Sequence, residues 1–342
     1  MNILEHIYYA GYRIKKRRML AVQKRLPYPV VSIGNLTLGG TGKTPSTIEL
    51  AKQAVLRGYQ PVILTRGYKG RAKGPCFVAK SRSEDVTDKY CNAVSDAGDE
   101  PVLIAAKVPE ACVVKSADRY EGGMFFIQNH DMASAARTPI FILDDGFQHW
   151  KLYRDIDVVL VDGRRGFGNR KMLPLGTMRG PLSELADADF FIITKSGNPE
   201  IEAELHSLNP AAPVYGAEYA IDGVLNKNGY KLNPDELKRT SVLAFCGLAD
   251  PESFRRSILS VCPNLASFIS FSDHRAYTQK DVENICKEAA SSGCEVIITT
   301  EKDMVKLLEL DIPDYIFSLS ISFSVSSDYY EKIFNSLKRE QG

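Results

Sequence analysis

Short apolar runs recur along the chain, separated by stretches in which apolar positions fall three or four residues apart. The first unit is the clearest. Val30-Val31-Ser32-Ile33 predicts a strand, residues 45–57 a helix and residues 61–65 the next strand, which together make a βαβ unit. Pro45 suits a first helical turn, where an amide N–H has no partner to lose. Further strands are expected at 113–114, 139–143, 156–161 and 190–194, with a helix over 101–106. Residues 68–98 are polar and predict loops around a short strand at Cys76-Phe77-Val78. Strands that alternate with helices predict the α/β class, with a mostly parallel sheet flanked by helices.

The alternation changes near residue 210. Residues 214–219 and 223–230, with Asn228-Gly229 at a turn, predict an extended β connector or small hairpin. Strands then resume at 242–245, 267–271, 295–299 and 315–321, so a second, smaller α/β domain is expected. The resulting division is an N-terminal helix over 1–25, a larger domain over 26–209, the connector over 210–232 and a C-terminal domain over 233–342.

A length of 342 residues is ample for two cores. With 44% hydrophobic and 25% charged residues the composition is that of an ordinary globular protein. Lys+Arg 43 against Asp+Glu 42 gives no electrostatic reason to expect a nucleic acid. The seven cysteines are scattered and never form C-x-x-C, which predicts reduced thiols rather than a disulfide framework or zinc site. No run approaches the ~18–20 apolar residues of a transmembrane helix. The N-terminus breaks the neutral average. Arg13, Lys15, Lys16, Arg17, Arg18, Lys24 and Arg25 oppose only Glu5, and Leu4, Ile7, Tyr8, Gly11 and Tyr12 follow helical spacing. A basic amphipathic helix of this kind suits either a lipid headgroup region or its own domain.

The strongest chemical signal is Gly39-Gly40-Thr41-Gly42-Lys43-Thr44, between a strand and a helix. In that setting glycine amides converge on the phosphates of a nucleotide at a helix N-terminus, Lys43 neutralises them, and the Thr44 hydroxyl is a Mg²⁺ ligand. Thr37 stands where the strict P-loop pattern has glycine. Ile140-Phe141-Ile142-Leu143 ends in Asp144-Asp145, carboxylates suited to holding Mg²⁺ beside such a loop. Asp99-Glu100 precede a helix and could be base and metal ligand, or an N-terminal cap. Ser272-Asp273-His274-Arg275 and Thr300-Glu301-Lys302-Asp303 follow strands and are ambiguous alone. Arg164, Arg165, Arg170 and Arg179 on glycine-rich loops suit an anionic substrate or a solvated basic loop.

These residues together resemble the tetraacyldisaccharide 4′-kinases of the lipid A pathway. The likeness is carried by Ser32 through Pro45, Thr65-Arg66-Gly67-Tyr68, Gly98-Asp99-Glu100-Pro101, Asp144-Asp145-Gly146-Phe147-Gln148-His149, Arg165-Gly166-Phe167-Gly168-Asn169, Leu173-Pro174, Ala244-Phe245, Asp273-His274 and Thr300-Glu301-Lys302-Asp303, in the family's order. Thr37 matches family usage. The resemblance implies a P-loop NTPase-like fold and transfer of the ATP γ-phosphoryl group to the 4′-hydroxyl of a lipid A disaccharide 1-phosphate, giving lipid IVA. It implies Asp99 and His274 as a catalytic dyad in a cleft between domains. It implies Mg²⁺ held by Thr44 with help from Glu100, Asp144, Asp145 and Gln148, and acceptor contacts by Arg66, Asn169 and Arg179. It further implies a monomer at the cytoplasmic face of a Gram-negative inner membrane, with the basic N-terminal helix as a monotopic anchor. Arg170, Gly180 and Trp150 depart from the family pattern beside the acceptor site. Two competing readings are a GTPase-type switch and a non-catalytic scaffold. The first is opposed by Thr194-Lys195-Ser196-Gly197 and Asn226-Lys227-Asn228-Gly229, which lack the aspartate of an Asn-Lys-x-Asp motif. The second leaves Asp99 and His274 without a task.

Overall fold

The computed structural model describes residues 3–68, 70–78, 90–91, 94–130, 137–195 and 197–339. Part of the loop region expected over 68–98, and Ser196, lie outside these residues. The first half of the chain forms α1 (Ile3–Ala21), β1 (Val30–Gly34), α2 (Lys43–Leu56), β2 (Tyr59–Thr65), β3 (Cys76–Val78), β4 (Tyr90–Cys91), α3 (Val94–Ala97), α4 (Asp99–Lys107), β5 (Cys112–Lys115), α5 (Arg119–Asn129), β6 (Thr138–Asp144), β7 (Ile156–Asp162), β8 (Phe190–Thr194), α6 (Pro199–Leu208) and β9 (Val214–Gly216). Its strands build a nine-stranded sheet in the order β4-β3-β5-β2-β6-β1-β7-β8-β9. From β5 to β9 every pairing is parallel, and β3 runs antiparallel to β5. The apolar runs of β1, β7 and β8 are buried throughout, as expected for strands covered on both faces. Leu50, Ala51 and Ala54 of α2 pack with Ile33, Ile63 and Ile142 on one face. Phe126 of α5 meets Val62, Phe141 and Leu143 on the other.

The second half forms β10 (Glu218–Asn226), β11 (Lys231–Leu232), α7 (Pro234–Leu237), β12 (Val242–Cys246), α8 (Pro251–Val261), β13 (Leu265–Ser270), α9 (Gln279–Ser291), β14 (Val296–Thr300), α10 (Glu301–Leu307) and β15 (Ile316–Ser324). These strands make a six-stranded sheet, β11-β10-β15-β14-β12-β13. Phe254 and Ile258 of α8 cover one face; Val282 and Ile285 of α9, with Met304 and Leu307 of α10, cover the other.

Four features differ from expectation. The connector is shared between the sheets: β9 pairs with β8, and β10 crosses to pair antiparallel with β15. The C-terminal helix α11 (Ser327–Arg339) leaves the second sheet, and Tyr329, Tyr330, Ile333, Phe334 and Leu337 enter the first core. Their spacing of one, three, one and three puts five large apolar groups on one helical stripe, which needs a partner surface. In α1 the docked face is Glu5, Tyr8, Tyr9, Tyr12 and Lys16, whereas Ile7 is 66% exposed. Tyrosine hydroxyls find partners at a polar interface and isoleucine does not, which turns the helix away from the register its apolar spacing predicts. Finally, Cys76 is disulfide-bonded, contrary to the expected reduced state; scattered spacing along a chain does not exclude that two thiols meet in the fold.

Candidate active site

The phosphate loop lies at the C-terminal end of β1, where parallel strands open a crevice. Gly42 begins α2 at φ 87°, and a Cβ there would sit 2.1 Å from the Tyr219 hydroxyl oxygen. Only glycine therefore fits this turn. Thr37 is extended and bridged to Met178, with Leu38 N donating to Thr177 O at 2.7 Å and Arg179 N to Leu36 O at 2.8 Å. That pairing needs no left-handed backbone, which explains why the loop tolerates threonine there. The Asn35 amide donates to Thr37 O, and Lys43 Nζ donates to Asn35 Oδ1 at 3.1 Å. Thr41 Oγ1 is buried and has no hydrogen-bond partner among the described residues, as befits a group awaiting a ligand.

Asp144 sits opposite Ile33 in the β1–β6 ladder, so its carboxylate is set beside the loop. Thr47 and Thr65 hydroxyls donate to its two oxygens at 3.4 and 3.5 Å. Burial, then the charges of Glu100 and Asp145, push its carboxyl up to about 7. Burial is the larger cause, and Lys43 and Arg119 oppose the rise. Arg179 Nη1 donates to both oxygens of Asp145, at 3.0 and 2.9 Å, and Lys43 Nζ stands 3.7 Å away. Burial opposes ionisation of Asp145, but Lys43 and Arg179 hold its carboxyl below the ordinary range.

Asp99 and His274 come together across the two sheets. Asp99 opens α4 below the first sheet, and His274 follows β13 of the second, held at φ 56°. His274 Nδ1 lies 2.8 Å from Asp99 Oδ2. Burial would raise the Asp99 carboxyl, yet the hydrogen bond and charge of His274, with Lys302 and Lys306, keep it low. The same hydrogen bond raises the imidazole. An ionised carboxylate only accepts, so Nδ1 carries the proton and Nε2 is left as the basic nitrogen.

The expected metal set is less gathered. Glu100 is ion-paired with Lys302, and the Gln148 amide reaches the Tyr12 hydroxyl at 3.5 Å. Among the described residues no group of three or more His, Cys, Asp or Glu stands ready to hold a metal ion, because Arg179 and Lys302 occupy two of the carboxylates. The donors are nonetheless hard oxygens around the buried carboxylate of Asp144, which fits Mg²⁺. Of the expected acceptor contacts, Arg66 is exposed on the loop after β2 and its charge is felt by Arg119. Arg179 is turned onto Asp145. Asn169 bonds within its own loop, to Leu175 O and Lys171 N.

Two contributors, Arg119 and Lys306, were not evident in the sequence, which also leaves open the role of Lys302 in its charged turn. Arg119 is buried, with its guanidinium 3.5 Å from Asp144 O. Lys306 bridges Asp303 Oδ1 at 2.6 Å and Asp99 Oδ2 at 4.0 Å. Lys302, within Thr300-Glu301-Lys302-Asp303, reaches Glu100, and Glu301 pairs with Lys107. The charged turn is therefore a clamp of α10 on α4. Only the strand-end position of that turn hinted at a role.

Known proteins resemble this chain over most of its length. The family model described as tetraacyldisaccharide-1-P 4′-kinase matches residues 1–338. The tetraacyldisaccharide 4′-kinase of Desulfotalea psychrophila is 35% identical over 323 residues, covering 93% of this chain and 89% of that protein. The protein of the same name from Halothermothrix orenii is 36% identical over 340 residues, covering 92% and 84%. A crystal structure of the LpxK of Aquifex aeolicus, in complex with ATP, superposes with a TM-score of 0.76 at 30% identity, covering 98% of this chain and 97% of that one.

Proposed function

This chain belongs to the tetraacyldisaccharide-1-P 4′-kinase family, and on that premise we propose how its residues divide the reaction. It is a phosphotransferase with an alcohol acceptor, acting in lipid A biosynthesis. ATP lies on Gly39 to Thr44, with Lys43 on the β- and γ-phosphates and the amides at the α2 N-terminus facing them. Asp144 and Asp145, with the Thr44 hydroxyl and assistance from Glu100 and Gln148, hold Mg²⁺, which when bound offsets the phosphate charge. His274 Nε2 takes the proton of the 4′-hydroxyl of the disaccharide 1-phosphate as that oxygen bonds to the γ-phosphorus, the bond from phosphorus to the β,γ-bridging oxygen breaks, and ADP leaves. Asp99 fixes the imidazole tautomer and stabilises the imidazolium that forms. Arg66, exposed beside the site, is assigned to the acceptor; Asn169 joins it by releasing its loop bonds, and Arg179 acts first on Asp145. The 2.8 Å bond between Asp99 and His274, made between the two sheets, is the observation that carries this reading.

We also propose that α1 lies on the cytoplasmic face of the inner membrane. No helix among the described residues is long and apolar enough to cross a membrane. Opposite its docked tyrosines, however, α1 presents Ile3, Ile7 and Ile14 at 76%, 66% and 54% exposure, flanked by Arg13, Lys15, Arg17 and Arg18. Burying a side chain like these is worth roughly 1.5–3 kcal/mol, and each basic residue near anionic lipid about 1 kcal/mol. The two contributions are comparable, so insertion and charge both matter.

The deciding experiment follows labelled γ-phosphate from ATP to purified disaccharide 1-phosphate in detergent micelles. Asp99→Ala and His274→Ala are each expected to lose about 10²–10⁴-fold in turnover while still binding ATP. Near-normal turnover in His274→Ala would remove the dyad, and product no greater than in a Lys43→Ala control would remove the kinase reading. Deleting residues 1–20 should release the protein from sedimenting vesicles.

A further inference from the structure

The inner face of α1 is wired to the phosphate site. Tyr8 Oη donates to the backbone oxygen of Arg179 at 2.9 Å. Tyr12 is buried, its ring edge-on to Trp150 with centroids 5.2 Å apart. A Cβ at Gly180 would lie 2.7–2.9 Å from the Tyr12 ring and hydroxyl. Gly180 and Trp150 are two of the positions that depart from the family pattern, and both lie against the Tyr12 side chain. Glu5 Oε1 accepts from Met172 N, and Lys16 pairs with Glu184 and Asp187. Residues 172–187 are thus held to α1 along their length. The same segment is bonded to the phosphate loop through Thr177 and Arg179, and Arg179 grips Asp145 with one nitrogen on both oxygens.

We propose that Tyr12 is a positioning residue for the phosphate site: its ring, seated against Gly180 and Trp150, fixes Arg179 and through it Asp145 and the loop. The helix that meets the lipid is then also a structural part of the nucleotide site, and a change in its seating alters how ATP is held. This rests on the reading that Arg179 and Asp145 belong to that site. A helix that only recruits the enzyme to lipid would change acceptor KM and leave ATP binding alone.

The test is ATP affinity measured without acceptor, together with kcat and both KM values in micelles. Tyr12→Ala is expected to weaken ATP binding and lower kcat by about tenfold each, since misplacement of a positioned group by about 1 Å can cost up to 10²-fold. Tyr12→Phe, which keeps the ring, should recover most of the loss. Gly180→Ala should be impaired because its methyl displaces the ring, and Tyr12→Leu in that background should restore activity beyond the sum of the single effects. This cycle decides the matter if Tyr12→Ala does not fold. Unchanged ATP affinity in Tyr12→Ala with only acceptor KM raised, or strictly additive losses in the cycle, would overturn the proposal. Because ATP binding is read without acceptor, absence of product in the wild type would sink the reaction and not this inference.

Discussion

At the scale of single residues, the Asp99–His274 pair has a testable sign. The carboxylate raises the imidazole above its ordinary value, so the proton stays on to higher pH, and a base must lose it to act. Activity should therefore rise with pH through that raised value. Asp99→Asn removes the main cause, so the acidic limb of kcat/KM should move to lower pH while the plateau falls. A pH–rate profile whose limb stays fixed would show that His274 is not the titrating base. Arg170 makes a second case. It is left-handed at φ 56° and pairs with Glu204 at 2.8 Å. The conformation costs about 1–2 kcal/mol, an exposed ion pair returns about 0.2–1 kcal/mol, and glycine's freedom would cost about 0.5–1 kcal/mol. These nearly cancel, so Arg170→Gly should leave stability within about 1 kcal/mol. Arg170→Val, β-branched and unpaired, should lose about 2 kcal/mol or more in denaturant titration. The phosphate loop and Asp144 were legible because their chemistry is local: glycines, a lysine and a strand end adjacent in sequence. Arg119 and Lys306 were not, because each acts on residues that only tertiary packing brings near.

At the scale of elements, the apolar spacing of α1 was readable and its orientation was not. Periodicity identifies a stripe, but α1 carries two, and the tyrosines took the inner one because their hydroxyls reach the Arg179 backbone and the Gln148 amide. Lys16 anchors that choice, between Glu184 at 2.7 Å and Asp187 at 3.1 Å. Lys16→Glu would gather three carboxylates there and should loosen α1. Trypsin should then cut within residues 13–18 faster than in the wild type, and an unchanged cleavage rate would mean the tyrosines alone hold the helix. The α10–α4 clamp was equally hidden, since a charged turn reads the same whether it faces water or another helix.

At the scale of the molecule, α11 belongs to the first sheet although the sequence runs it on from the second. Phe334, 2% exposed, stacks on Tyr59 at 5.5 Å and lies under Arg57. Truncating one such side chain costs about 3–5 kcal/mol, and a domain has only about 5–15 kcal/mol in all. Ending the chain before Ser327 should therefore abolish the cooperative melting of the nucleotide-binding half, and Phe334→Ala should lower its stability by about 3–5 kcal/mol. A truncated protein that melts as sharply as the full chain would show that α11 is dispensable. Because both ends of the chain lie on the first sheet, the second sheet is spliced into it through two crossings. Those crossings are neighbours: Glu218 faces Ser324 in the β10–β15 ladder. The two crossings therefore form one paired strap between the sheets rather than two independent tethers.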